Sequence, residues 1–395
     1  MSNFNKIIKK PPHGFDIKEF ELRINKAHQM MYKNKLDALL ITTPHNFRYF
    51  TGFDSYFWES PTRPWFLIIP INKEPIAVIP SIGSSALKKT WIKNIHSWSS
   101  PNPKDEGISL LASLIKNLNN KFGNIGVEIG NESTIRMPFR DYINLQSIIN
   151  EFSFIDGSNL LWNLRMIKSK DETDKLNFIC NIASDAYENL PNNIRINETE
   201  RSICNKLKID LINRGADHVI FMACSSGNIG YEQIIFDPTD SILKNGNILF
   251  IDTGSTYDGY FCDFDRNFAF GSINEKIKKA YRATNDAVTV GINEANPGKK
   301  CSDIFKSMNN ILKSAGSIGN GVGRMGHGFG LQLTEPPSIM LNDETILKPG
   351  MAITIEPVFE FETGNMIVQE ENIIITENGN EIITNRSSKE IPLIK

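Results

Sequence analysis

The spacing of apolar positions changes partway along the chain, and that change divides it. Between Phe15 and Leu161, short β-rich apolar runs alternate with stretches of helical period. Ala38 to Thr42, Trp65 to Ile69 and Pro75 to Ile79 predict strands, and Gly107 to Leu118 predicts a helix. Runs that are apolar at successive positions suit a mostly buried sheet in a compact α/β domain. From Leu164 to Glu172 the chain turns polar, then Leu176, Ile179, Ile182, Ala183 and Ala186 recur at helical spacing. Ser169 followed three residues later by Glu172 is a capping-box pattern, so a new helix and a new domain are expected to begin there. Further helices are expected over Glu198 to Leu211, Glu275 to Asn293 and Ser302 to Lys313, with strand-like runs between them. The expected division is an α/β domain over 1–163 and a second domain over 164–395.

Composition narrows the class without naming a function. A chain of 395 residues exceeds the size at which one core usually keeps growing. With 22% charged residues and a formal net charge of -2, nothing global favours nucleic acid or an anionic membrane as partner. The five cysteines form no CxxC pair and no disulfide framework, as expected of a reducing compartment. The leader from Met1 to Phe15 lacks a signal peptide's apolar stretch, and no run reaches the roughly 20 residues of a membrane span. A cytoplasmic location is the expectation.

Candidate chemistry gathers in the second half. Asp252 ends an apolar strand pattern and Asp263 lies in the next, with Asp258-Gly259 as a hairpin signal between them. A turn centred on Tyr257-Asp258 sets the two aspartates directly opposite, where like charges repel unless a cation lies between. Glu356 and Glu370 flank a second turn through Glu362 to Asn365. Glu356 shares a strand face with Thr354 and Ala352, and a carboxylate on a half-buried face requires a metal or an arginine. His327, in Gly-His-Gly-Phe-Gly, adds an imidazole where glycines permit close backbone approach. Four carboxylates and one imidazole, with no thiolate, suit two hard or borderline ions: manganese first, with cobalt, iron or zinc as alternatives.

These motifs, with His-Gly-Phe-Gly-Leu followed by Glu-Pro-Pro, Ile-Glu356-Pro and Glu370-Glu-Asn-Ile-Ile-Ile-Thr, resemble the creatinase, prolidase, aminopeptidase P and methionine aminopeptidase family. The resemblance covers nearly the whole chain. It implies a creatinase-like α/β domain followed by a pita-bread α+β catalytic domain, a homodimer, and hydrolysis of a small peptide or amide in the manner of Xaa-Pro dipeptidases. The implied mechanism has a water or hydroxide bridging the metals attack an amide carbonyl, with Glu356 as proton acceptor. Alternatives on the same fold are a hydrolase or lyase of a non-peptide osmolyte or amidine, and a catalytically silent binding protein.

The sequence departs from the family in the residues that handle peptide. Thr334 stands where a second histidine is expected, Glu232 and Gln233 occupy a stretch that offers no histidine, and Val368 holds the position of an arginine. Asp265 stands where relatives commonly carry threonine. It reads either as an ion-paired edge charge or as an acid that orients a ligand or gives a proton to the leaving group, on the same strand face as Asp263. Arg63 is a candidate for a substrate carboxylate or a solvated loop arginine. Trp58 is a pocket-lining or a core aromatic, Trp65 reads as core, and His45 as structural. Gly321-Val-Gly323-Arg-Met-Gly326 matches a dinucleotide fingerprint only in letters, since it follows a helix instead of joining a strand to one.

Overall fold

A computed structural model describes residues 9–60, 63–319, 321 and 323–394. Most of the polar leader, two residues of the Ser60-to-Pro64 loop, and Asn320 and Val322 of the glycine-rich segment lie outside them. The chain forms two compact units, Gly14–Arg165 and residues from Met166 onward, the latter joined by the segment up to His13.

The first unit is built on a six-stranded sheet: β1 (Ala38–Ile41), β2 (Phe66–Pro70), β3 (Ile76–Pro80), β4 (Asn94–Trp98), β5 (Asn124–Val127) and β6 (Ser153–Asp156), in the order β4-β3-β2-β1-β5-β6. β1, β2 and β3 pair antiparallel, and the other neighbours are parallel. Every residue of β1 and β2 is buried, as their unbroken apolar runs require. The predicted helix appears as Ile108–Lys116 and packs Leu111 and Ile115 against Leu40, Ile68 and Val78. Two buried carboxylates tie this unit together. Asp37 accepts backbone N–H groups from Lys121, Phe122, Gly123 and Asn124. Glu128 accepts from the backbone and hydroxyl groups of Thr42 and Thr43 and from the Asn46 amide, which holds the start of helix Pro44–Thr51 to the end of β5.

The second unit opens with helix Lys170–Asn193, whose capping box is formed: Ser169 Oγ accepts from the Glu172 N–H, and the Glu172 carboxylate accepts from the Ser169 N–H. The remaining expected helices are Glu200–Arg214, Glu275–Glu294 and Cys301–Ala315. One sheet contains β7 (His218–Gly227), β8 (Ile248–Tyr257), β9 (Tyr260–Phe261), β10 (Phe264–Phe270) and, from the far end of the chain, Leu393–Ile394. The other contains β11 (His327–Gly328), β12 (Glu335–Ser338), β13 (Ala352–Ile355), β16 (Glu371–Thr376) and β17 (Gly379–Ile382), in the order β12-β11-β13-β16-β17. A small ribbon of β14 (Val358–Glu360) and β15 (Met366–Val368) extends the β13–β16 hairpin. Between sheets and helices lies one apolar core that includes Phe250, Ile277, Val288, Met308, Ile353 and Ile373. Helix Lys170–Asn193 is anchored by a buried pair, Lys175 Nζ to Asp258 Oδ2 at 2.8 Å, and the preceding Lys168 pairs with Glu335 at 3.0 Å. Among the described residues no helix is long and apolar enough to cross a membrane.

Candidate metal centre

Turn chemistry sets the first pair of aspartates. Asp258 and Gly259 both take positive φ, 48° and 76°, which makes them the two central residues of a tight hairpin turn. Tyr257 therefore pairs with Tyr260, and the same count places Asp252 opposite Asp265. This corrects the expectation that Asp252 and Asp263 are direct partners, which needs a turn centred one residue earlier. Asp263 lies between β9 and β10, where the ladder is interrupted. Its N–H turns away from β8 to donate to Asn372 Oδ1 at 3.0 Å.

The second hairpin keeps one register on both sides of its kink. Ile355 lies opposite Glu371 and Val358 opposite Val368, which sets Glu356 level with Glu370. Two side chains then join the hairpins. Asn372, on β16, accepts the Asp263 N–H and donates its amide to the Asp263 carbonyl. Arg266, on β10, donates to the carbonyls of Asp265 and Glu370 at 2.6 and 2.9 Å, and to Glu371 Oε2 at 2.9 Å.

His327 arrives on a backbone that only glycines allow. A Cβ on Gly326 would lie 2.3 Å from the Thr354 carbonyl oxygen, and one on Gly328 2.2 Å from that of Pro336. The glycines thus let β11 press against its neighbours, and the His327 N–H reaches Thr354 Oγ1 at 3.0 Å. Its Nδ1 lies 2.9 Å from the Gly328 carbonyl, which fixes the proton there and leaves Nε2 as the electron-pair donor. Nε2 lies 3.3 Å from Glu356 Oε1 and 3.5 Å from Asp263 Oδ2. Donor atoms of Asp263, His327 and Glu370 fall within 4.8 Å of one another.

The charges at this point are unbalanced. Burial, then repulsion from Glu356, pushes the Asp252 carboxyl up to about 8. Asp263, Glu370 and Asp265 are also raised well above the carboxylate range, in each case by burial first and by neighbouring carboxylates next. Asp252 Oδ1, Glu370 Oε1 and Asp265 Oδ2 are buried and accept no hydrogen bond. Buried carboxylate oxygens without donors, beside an imidazole nitrogen that Asp263, Glu356 and Glu370 approach, are what a site for hard cations presents when the protein's own atoms are counted alone.

The other expected residues have the following surroundings within their own units. Trp58 packs edge-on to Phe47 and tilted against Trp65, with the Arg136 guanidinium over its ring. Arg63, at positive φ, donates its N–H to Glu106 and rests over Phe57. Thr334 is half-buried in the loop leading into β12. Val368 faces the apolar core, and Gln233 braces its own loop by accepting from Ile235 and Phe236. Asn372, Arg266 and Arg324 were missed. Arg324 lowers the Asp263 carboxyl against the prevailing upward push, and it has no hydrogen bond or ion pair among the described residues. Its place three residues before His327, inside a glycine run that also matches a dinucleotide fingerprint, is the signal the sequence carries for it.

Comparison with known proteins gives the family and the fold. The profile of metallopeptidase family M24 matches residues 174–377, and that of the creatinase/prolidase N-terminal domain matches residues 23–167. A Xaa-Pro dipeptidase of Pyrococcus furiosus is 26% identical, over 92% of this chain and 97% of its own length. An uncharacterized peptidase of Bacillus subtilis is 25% identical, over 94% of this chain and 100% of its own. The crystal structure of a prolidase from Thermococcus sibiricus, 24% identical, superposes with a TM-score of 0.85 over 95% of this chain and 99% of that one, a likeness of fold. A creatinase-like α/β domain followed by a pita-bread catalytic domain is thus the architecture, and the chain belongs to metallopeptidase family M24, as a metal-dependent hydrolase.

Proposed function

We propose that Asp252, Asp263, His327, Glu356 and Glu370 hold two divalent cations, manganese foremost, and that the enzyme cleaves the amide bond of a small peptide of the Xaa-Pro class. The observation that carries this reading is the gathering of Asp263, His327 and Glu370 donor atoms within 4.8 Å of one another, with a buried Glu370 oxygen that accepts no hydrogen bond. The metals would supply Lewis acidity and a nucleophilic water at neutral pH. The chain's own groups do the rest. Thr354 Oγ1 donates to Glu356 Oε1 at 3.1 Å, which fixes the carboxylate and leaves Oε2 to accept a proton and return it to the leaving amine. His327 is held in one tautomer by Gly328. Arg324, uncommitted among the described residues, is the cation available for a substrate carboxylate in place of the arginine that Val368 replaces.

A second reading, hydrolysis or lysis of a non-peptide osmolyte or amidine, draws on one observation: among the described residues His327 is the only histidine of the cluster. His13 pairs with Asp217, and His218 starts β7 opposite Thr256, four residues along β8 from Asp252. The centre thus lacks the extra imidazole donors that peptidases of this kind direct at an oxyanion. Xaa-Pro dipeptides assayed beside a panel of small zwitterions, with and without Mn²⁺, decide between the two. Dipeptide turnover on the order of 10 per second supports the first, and a zwitterion turned over far faster than any dipeptide supports the second. A homodimer in which the loop with Tyr56, Trp58 and Arg63 borders the partner's site belongs to the same reading. A fully active monomer in light scattering contradicts it.

A further inference from the structure

Besides the metal centre, the catalytic unit contains a cavity of about 320 Å³ between helix Lys170–Asn193, β10 and the segment 385–388. None of the five candidate metal ligands lines it. At roughly 30 Å³ per water it has room for a small organic molecule, and its size falls at the low end of ligand pockets. Its walls mix apolar surface from Phe268, Pro191 and Pro392 with two guanidiniums, Arg266 and Arg386.

Counting partners shows what the cavity lacks. Arg266 is engaged at both terminal nitrogens by the carbonyls of Asp265, Glu370 and Asn385 and by Glu371. Glu371 also accepts from Thr384 Oγ1 and from the Ser387 N–H, the latter at 2.7 Å. Its one negative charge therefore faces two guanidiniums. Arg386 donates through Nη2 to Thr289, but its buried Nε, 3.5 Å from Glu371 Oε1, makes no hydrogen bond. Burial lowers the Arg386 guanidinium below its ordinary value, Glu371 opposing and Arg266 adding to that push, so a further anion beside it is favoured. At the rim stands exposed Glu188, one oxygen engaged by the Asn385 amide at 2.7 Å. A cation inside and an anion at the mouth match a molecule that carries both charges.

We propose that this cavity binds a small zwitterion of α-amino-acid type, with its carboxylate on Arg386 and its ammonium toward Glu188, and that occupancy alters metal affinity through Arg266. The link is structural: Arg266 lines the cavity and holds the backbone carbonyl of Glu370, so a ligand that moves it moves a metal residue. By linkage, metal and ligand then change each other's affinity by the same factor. The binding claim stands whether or not the substrate is a peptide; the coupling claim rests on the metal reading.

The test uses the full-length, Mn²⁺-loaded protein and L-leucine as probe in calorimetric titration. Arg386→Met is expected to weaken leucine binding at least tenfold and Glu188→Gln a few-fold. Metal content and basal turnover should stay within about twofold. In the wild type, leucine should change Mn²⁺ affinity several-fold, and in Arg386→Met it should not. Isovalerate bound as tightly as leucine overturns the ammonium contact. Absence of leucine binding to the wild type, or leucine binding unchanged in a folded Arg386→Met, overturns the site. Neither result bears on dipeptide turnover, so failure here and failure of the peptidase reading are separable.

Discussion

Two groups of buried carboxylates in this chain are treated in opposite ways. In the N-terminal unit, Asp37 and Glu128 are each almost wholly enclosed, and protein N–H and O–H groups meet both oxygens of each. In the catalytic unit, Asp252, Asp265 and Glu370 each keep a buried oxygen that no donor meets. Even there the contrast is local, because Glu371, next to Glu370, is saturated by Arg266, Thr384 and Ser387. Burying a charge is costly unless it is answered, so the answer identifies the role. Where the protein supplies it, the carboxylate is a structural clasp. Where it is withheld, the answer comes from outside, and cations are the class that satisfies several anions at once.

The largest effect should follow from removing a member of the unanswered group. Asp263→Ala is expected to lose metal and activity together, turnover falling to background, as read by elemental analysis and by assay on whichever substrate is found. Asp265→Asn sharpens the contrast inside the site. Asp265 lies opposite Asp252 and is held on one side by Asn267, whose Nδ2 lies 3.1 Å from Oδ1. If it orients a ligand or moves a proton, metal content should stay while turnover falls by about 10²–10⁴. Unchanged turnover leaves Asp265 a structural charge.

Glu128→Ala should do the reverse of Asp263→Ala. Stranding the donors of Thr42, Thr43 and Asn46 costs on the order of 3 kcal/mol, which lowers the melting temperature by roughly 6–12 °C while metal content is unchanged. The smallest effect, taken per pH unit, is a slope. The Asp252 carboxyl, raised from 3.8 to about 8, binds its proton more tightly folded than unfolded. Between those values the unfolded state holds fewer protons, so the metal-free protein loses stability as pH rises toward 8, by at most about 1.4 kcal/mol per pH unit for one proton. Calorimetry across that range checks the sign. Asp252→Asn should lessen the slope, to which the raised Asp263, Asp265 and Glu370 carboxyls also contribute, and Mn²⁺ should lessen it further.

Much of this was legible in the sequence, for identifiable reasons. Unbroken apolar runs gave β1 to β3, helical spacing gave the four helices of the catalytic unit, and Ser169 with Glu172 marked a cap that forms as read. The residues proposed for the metal centre could be named because acidic side chains in apolar strands stand out. Their pairing was harder. A turn moved by one residue shifts the facing partner by two, and only the requirement for two positive φ values selects Asp258-Gly259 over Tyr257-Asp258. Asn372 and Arg266 were hidden for another reason: each joins two hairpins far apart in sequence, and no local pattern marks such a clasp. Val368 shows the limit of matching positions, since a residue aligned with a substrate arginine here faces the core.

The most direct test is the metal content of the purified protein after reconstitution with Mn²⁺ and removal of excess, measured by elemental analysis against protein concentration. The account predicts close to two divalent ions per chain in the wild type, and close to two in Glu128→Ala if that variant folds. A wild-type protein that retains no metal would show that the unmet oxygens of Asp252 and Glu370 are answered by protons alone, and would contradict the proposed centre.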